Sequence, residues 1–216
     1  MAPHVFQRLV EAILKGEFSG GQPLREAALA RAWKVSRTPL REAVRRAAAN
    51  GLLILRPNQA PLVRSLGLED VRALYELREV LELHALQRAW PHLVRGQGAE
   101  MAGKARAVSL RRPQWEARCL QFDLELHHWW TDLCGNPWLK ADLERHFQFL
   151  RIFQLWVGRD PAALKESYRE HLVILKAVGR QDLKAAMAAL REHIRSSCRL
   201  VERAMAQGPG TSPPGR

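Results

Sequence analysis

Val35-Ser36-Arg37-Thr38-Pro39-Leu40-Arg41-Glu42-Ala43-Val44-Arg45-Arg46 is the stretch whose reading decides the fold. Thr38 before Pro39 reads as a helix start. Proline fixes φ, lacks only an N–H that the first turn leaves unbonded, and pushes the preceding residue out of the helical region. Asn50-Gly51 supplies the stop. Along the predicted helix Leu40, Ala43, Val44 and Ala47 share one face, while Arg41 and Arg45 stand one turn apart beside it, with Arg37 at the entrance. The apolar stripe docks the helix and the arginine row is left for a partner. Guanidinium forks match phosphate oxygens and the guanine edge, so such a helix suits a DNA major groove. An isolated arginine-rich helix is equally a solvated basic surface, and its neighbours have to decide.

The neighbours favour DNA. Val5 to Lys15 reads as an amphipathic helix with Phe6, Leu9, Val10, Ile13 and Leu14 on one side, and Gly16 ends it. Phe18 to Leu24 is a turn region, since Gly20-Gly21 supplies positive φ and Pro23 forbids a helix interior. Glu26 to Trp33 is a short second helix, and Lys34-Val35-Ser36 a tight connection into the arginine helix, which together make a helix-turn-helix. Leu52 to Leu55 and Leu62-Val63 flank the polar, proline-bearing Arg56 to Pro61, the pattern of a small β-hairpin wing.

A chain of 216 residues with 47% hydrophobic and 26% charged residues can bury a real core in one large or two small domains. Its formal net charge of +12 favours a polyanionic partner, nucleic acid or an anionic membrane surface. The excess is uneven: residues 1–66 hold eleven Lys/Arg against four Asp/Glu, which puts the polyanion contact at the N-terminal end. Cys119, Cys134 and Cys198 form an odd, widely spaced set without CxxC, expected of reduced thiols. No secretory segment and no membrane-spanning apolar run is read from the sequence, so a soluble cytoplasmic protein is expected.

After Ser65-Leu66-Gly67 no strand pattern recurs. Helices are predicted over Leu68 to Trp90, where Pro91 stops the first, briefly over Ala99 to Val108, then over Trp115 to Leu133, Trp138 to Trp156, Pro161 to Gly179 with Asp160 as cap, and from Gln181-Asp182 to Met205. In the first of these Val71, Leu74, Leu77, Val80, Leu81 and Leu83 to Leu86 make a broad apolar face. The expected fold is mostly α: a winged helix-turn-helix with a hairpin wing over 1–66, an all-α bundle over 67–207 and a disordered tail over 208–216.

Within the bundle Asp123 and His127 are four apart and project from one helical face, His171 lies in the fifth predicted helix and His193 in the sixth. A carboxylate and three neutral imidazoles converging from three helices would form a competent site for a divalent transition metal. On spacing alone, hydrogen-bonded core or surface histidines remain the alternative; His4, His84, His92, His128 and His146 lack any comparable partner pattern.

Two resemblances sharpen these readings. Ile13, Gly16, Phe18, Gly21, Leu24, Glu26, Leu29-Ala30, Val35-Ser36-Arg37-Thr38-Pro39, Arg41-Glu42-Ala43 and Gly51-Leu52 fall at the intervals of the winged-helix signature of the GntR family of bacterial transcription regulators. The chain departs from it at Lys34, where the family usually has glycine, and at Gln59-Ala60, where an Arg-Gly or similar pair usually sits at the wing tip. Tyr75-Glu76-Leu77-Arg78 with Glu82, Asp123-x3-His127 before Gly135-Asn136, Glu170-His171 with Ile174 and Ala177, and His193 resemble the FCD effector domain of the FadR subfamily. Six helices there, rather than seven, look like its VanR-type branch.

What the resemblance implies is a homodimeric, ligand-responsive repressor on double-stranded DNA with an inverted-repeat operator. Ser36, Arg37, Thr38, Arg41, Arg45 and Arg46 would contact DNA. Asp123, His127, His171 and His193 would hold zinc, nickel or manganese, and a small carboxylate effector would bind over the metal. Arg78 matches a family position near the pocket, against the alternative of a surface ion pair with Glu82 one turn on. Two other classes stand beside this one: a metal-dependent hydrolase-type enzyme in the bundle, for which no motif supplies a general base, and an architectural protein coating DNA without a ligand.

Overall fold

The computed structural model describes residues 2–14, 16–65, 67–94, 98–157 and 160–206. Lys15, Leu66 and the tail predicted over 208–216 lie outside the described residues. The chain opens with α1 (Ala2–Leu14), α2 (Glu26–Trp33) and α3 (Arg37–Ala49), followed by β1 (Leu53–Ile54) and β2 (Leu62–Val63). The strands pair antiparallel in the register Leu53 to Val63 and Ile54 to Leu62. Leu9, Leu24, Leu40, Val44, Leu52 and Val63 are among the buried side chains that close this unit.

Three local details correct or explain the sequence reading of this unit. Ser36, not Thr38, stands at the N-cap of α3, with extended backbone at φ −70° and ψ 161°. Pro39 is thus the third helical residue, still inside the turn whose N–H groups have no partner. Lys34 takes a left-handed conformation at φ 56°, which is the conformation glycine adopts most cheaply, and the Val35 N–H turns back to the Ala30 carbonyl at 3.0 Å. At the wing tip the positive φ falls on Asn58 (56°) after Pro57, the order a type II turn needs, so the hairpin closes without a glycine. The wing is also anchored from behind: the Gly21 N–H donates to the Val63 carbonyl and the Val63 N–H to the Gln22 carbonyl, at 2.8 and 2.9 Å.

Six helices follow among the described residues: α4 (Leu68–His92), α5 (Gly98–Ala107), α6 (Trp115–Leu133), α7 (Pro137–Val157), α8 (Pro161–Gly179) and α9 (Leu183–Ala206). Three of their starts are capped by side chains, Asp160 as the sequence predicts: Asn136 Oδ1 accepts from the Trp138 N–H, Asp160 Oδ1 from the Ala162 N–H and Asp182 Oδ1 from the Ala185 N–H. Helix α4 does not stop before Pro91 but runs to His92. A proline one residue from the end removes a single intrahelical bond, which the last turn tolerates. A second core gathers Leu86, Phe122, Trp130, Leu143, Ile174 and Leu190, with α9 packed along both α4 and α8.

One sequence expectation fails on α4. Leu77 and Val80 are 47% and 62% exposed and do not belong to its buried face. That face runs instead through Val71, Tyr75, Arg78, Glu82, Ala85, Leu86 and Ala89, so two charged residues hold core positions. They do so because a polar site lies beneath them.

Candidate metal centre and nucleic-acid interface

Helix α6 presents Asp123 and His127 one turn apart, α8 brings His171 and α9 brings His193. One donor atom from each of the four lies within 4.8 Å of all the others; the three histidines are buried, and Asp123 keeps 13% of its side chain exposed. The Nε2 atoms of His127 and His193 are 3.2 Å apart, as are those of His171 and His193. Asp123 Oδ1 lies 3.2 Å from His171 Nε2 and 3.8 Å from His127 Nε2. Ligands at about 2.1 Å from one ion are separated by about 3.0 Å on an octahedral edge and about 3.4 Å on a tetrahedral one. The observed spacings suit a single bound cation.

The far sides of two rings are fixed by carboxylates. His127 Nδ1 meets Glu82 Oε2 at 2.5 Å, and His193 Nδ1 meets Glu170 Oε2 at 2.9 Å. With Nδ1 donating outward, each Nε2 turns a lone pair inward, and facing lone pairs repel unless a cation lies between them. The donor set therefore fits a metal better than it fits a hydrogen-bonded histidine cluster. Glu82, fully buried, also accepts from the Trp130 indole N–H at 3.1 Å and from Arg78 Nε at 2.5 Å. Aromatic rings complete the wall: Trp130 meets His127 edge-on at 5.0 Å between centroids, and Phe122 meets His171 at 6.0 Å.

The electrostatics agree with this assignment of protons. Burial disfavours protonated imidazolium at His127, where Glu82 only partly opposes it, and at His193, whose pKa falls well below 6.5 with help from the neighbouring His171 and His127. Burial also works against an ionised Asp123, but the His171 hydrogen bond and the positive charge available on the surrounding rings outweigh it and hold the carboxyl far below its ordinary range, a role that a bound cation would take over beside neutral imidazoles. At Glu82 burial is likewise overcome, by His127 and Arg78, and the carboxyl comes down to about 2. Neutral imidazoles and an ionised carboxylate are the forms that bind a cation.

Arg78 is 4% exposed, so its pair with Glu82 is a buried one and not the surface pair that spacing allowed. Its Nη2 also comes within 3.1 Å of His127 Nε2. A cleft of about 550 Å³, counting its mouth, reaches this point and is lined by Arg78, Asp123 and His171 at its inner end. Sequence reasoning named the four donors and Arg78 but gave Glu82 and Glu170 no role in the site. A carboxylate at a core position of α4 was the available signal for Glu82. Among the histidines set aside, His146 is also buried, and burial brings its pKa to about 4, but it is not part of the donor cluster.

On the N-terminal unit Ser36, Arg37, Thr38, Arg41, Arg45 and Arg46 are all exposed. Arg37, Arg41 and Arg45 follow one another at four-residue intervals along α3, one face of a helix. Arg41 pairs with Glu26 of α2 at 3.2 Å with 67% of its side chain open to water. The guanidinium of Arg46 lies 4.2 Å from the ring centre of Phe6, so this arginine packs against α1, off the row formed by the other three.

Comparison with known proteins agrees with this architecture. The family profile described as bacterial regulatory proteins, gntR family, matches residues 2–63, and the FCD domain profile matches residues 73–196. The Nta operon transcriptional regulator of Aminobacter aminovorans is 27% identical over 88% of this chain and 91% of its own length. The HTH-type transcriptional repressor RspR of Escherichia coli (strain K12) is 26% identical over 81% of this chain and 77% of its own. Among solved structures, E. coli McbR/YncC superimposes with a TM-score of 0.70 at 20% identity, covering 94% of this chain and 97% of that one, which speaks for a shared fold. With a GntR helix-turn-helix ahead of a helical domain matched over more than half the chain, the protein belongs to the FCD-domain regulators of the GntR family.

Proposed function

We propose that this chain is a homodimeric repressor that reads an inverted-repeat operator through α3 and releases or holds it according to a small carboxylate bound beside a divalent metal in the helical domain. The observation that carries the reading is the convergence of Asp123, His127, His171 and His193 donor atoms within 4.8 Å in the buried heart of the bundle. Zinc, nickel and manganese all accept such a set, and a bound cation would supply Lewis-acidic positions for carboxylate oxygen. The protein's own residues do the rest. Glu82 and Glu170 hold two rings in place, and Arg78 offers a guanidinium to the same carboxylate. Membership of a family of bacterial regulators answers the enzymatic alternative: the chain is a DNA-binding transcription regulator. Six helices in the C-terminal domain among the described residues favour the VanR-like branch.

On DNA, Arg41 and Arg45 would reach base edges or phosphates, with Arg37, Ser36 and Thr38 anchoring the backbone and Arg46 bracing α3 against α1. A twofold dimer would present two such helices to two half-sites. The effector acts only through a difference in its affinity for the DNA-competent and DNA-incompetent arrangements.

Elemental analysis of the purified protein beside His171→Ala and His193→Ala tests the metal centre. About one equivalent in the wild type and a large loss in both variants is expected; full retention in both would falsify the site. Selection from a random duplex pool tests the rest, with an enriched inverted repeat as the expected product and unselective binding as the result against it.

A further inference from the structure

The cleft above the donor cluster says more about its ligand than that it carries a carboxylate. Beyond the inner end its walls are Leu120, Leu164, Leu200, Val201 and the rings of Tyr75 and Tyr168. The Tyr168 hydroxyl already donates to the Ala105 carbonyl at 2.8 Å, so the cleft meets the ring and not a new donor. The side-chain hydroxyls left along the walls among the described residues are those of Tyr75, Ser167 and Ser197.

We infer that the effector is a monocarboxylate with a compact apolar or aromatic body, and not a polyhydroxylated acid or a di- or tricarboxylate. The inference rests on the metal-and-carboxylate reading above and adds the chemical class of the ligand. Charge sets the first limit. Among the described residues lining the cleft Arg78 is the one cationic side chain, and Glu82 already balances it. Asp123 offsets half of a divalent cation, and one incoming carboxylate offsets the other half; Glu170, behind His193, is 22% exposed and keeps contact with water. A second carboxylate would lie among leucines with no countercharge, which burial penalises heavily.

Hydrogen bonding sets the second limit. Each buried hydroxyl of a sugar acid needs a partner, and three side-chain hydroxyls on largely apolar walls cannot serve a polyol of about five hydroxyls. An apolar body needs none and gains about fourfold in affinity for each methylene it buries.

Isothermal titration calorimetry on the full-length protein with its metal content measured decides the matter, using acetate, octanoate, benzoate, gluconate and citrate as probes. Octanoate or benzoate is expected to bind at least about tenfold more tightly than acetate, gluconate and citrate. Leu164→Asn is expected to cost octanoate about tenfold and to leave acetate nearly unchanged. Gluconate or citrate binding more tightly than both apolar acids, or acetate matching them, overturns the inference while leaving the metal-and-carboxylate reading intact. If no acid in the panel binds the metal-loaded protein, or binding is the same in Arg78→Met and His171→Ala, the underlying reading fails and takes the inference with it. The comparison among acids in the wild type does not depend on any variant folding.

Discussion

Arg41 on α3 leaves 67% of its side chain to water and pairs with a Glu26 that is itself 27% exposed, whereas Arg78 on α4 is 4% exposed and pairs with a fully buried Glu82. An exposed pair is worth about 0.2–1 kcal/mol, so Arg41 can trade its partner for a phosphate or a base edge at little cost. A buried pair has no such freedom, because separating it strands a charge in the core. The same side chain is thus an exchangeable contact in one domain and a fixed electrostatic reference in the other. The sorting follows from what each helix packs against.

The largest effect that could break this contrast is at Glu82. Glu82→Ala leaves Arg78 buried without its countercharge and His127 without its orienting carboxylate, and is expected to cost about 3–5 kcal/mol in urea unfolding. Metal affinity, followed by competition with a chelator, should fall about 10–100-fold. A loss of stability below about 1 kcal/mol would mean that Arg78 finds water, and the distinction between the two arginines would vanish.

Acidification should strain the helical domain next. His127 and His193 have folded pKa values below 6.5, so the unfolded chain takes up protons first and the stability due to their neutral forms is lost as pH falls below 6.5. Glu82, lowered from 4.5 to about 2, contributes stability that is complete above 4.5 and disappears as pH falls towards 2. Denaturation of chelator-treated protein at stepped pH should show two successive losses. A stability constant from pH 7 to pH 5 would contradict the proton assignment at the donor rings.

At the exposed arginine the expected effect is smaller and appears in binding alone. Arg41→Ala should weaken operator binding by about 1–3 kcal/mol if the side chain makes a bidentate base contact, measured by fluorescence anisotropy at fixed salt. Unfolding stability should move by no more than about 0.5 kcal/mol. An unchanged dissociation constant would remove Arg41 from the DNA-reading set. The smallest effect concerns the turn that sets α3: Lys34 at φ 56° is strained relative to glycine, and Lys34→Gly should add about 1 kcal/mol to stability, seen as a modest rise in Tm.

The sequence made some of this legible and hid the rest for identifiable reasons. Helix-breaking and capping residues carry their information locally, which is why Glu26 to Trp33, Trp115 to Leu133 and Asp160-Pro161 fall where expected. Periodicity alone misjudged α4, because Leu77 and Val80 look like core while Arg78 and Glu82 look like surface, and the packing reverses both. Asp123 and His127 could be paired from their spacing within one helix, and the structure brings His171 and His193 to them; their role as ligands remains a proposal. Glu170's hold on His193 spans two helices and leaves no spacing signal at all. Lys34 and Asn58 show that an expected glycine marks a backbone conformation, which another residue can adopt at a cost.

Helix α4 begins five residues after β2 ends, and it carries Arg78 ten residues beyond its first residue, a distance of about 15 Å along a stiff rod. Ion pairs of Glu79 with Arg191 and Arg195, and of Arg72 with Glu202, clamp that rod to α9, which bears His193. A small tilt of α4 about those clamps, started by a ligand seated against Arg78, would swing the end from which the wing and the reading helix are suspended. The chemistry of the cleft and the aim of the DNA-binding unit would then share the α4 rod, alongside the direct contact of α1 with α7.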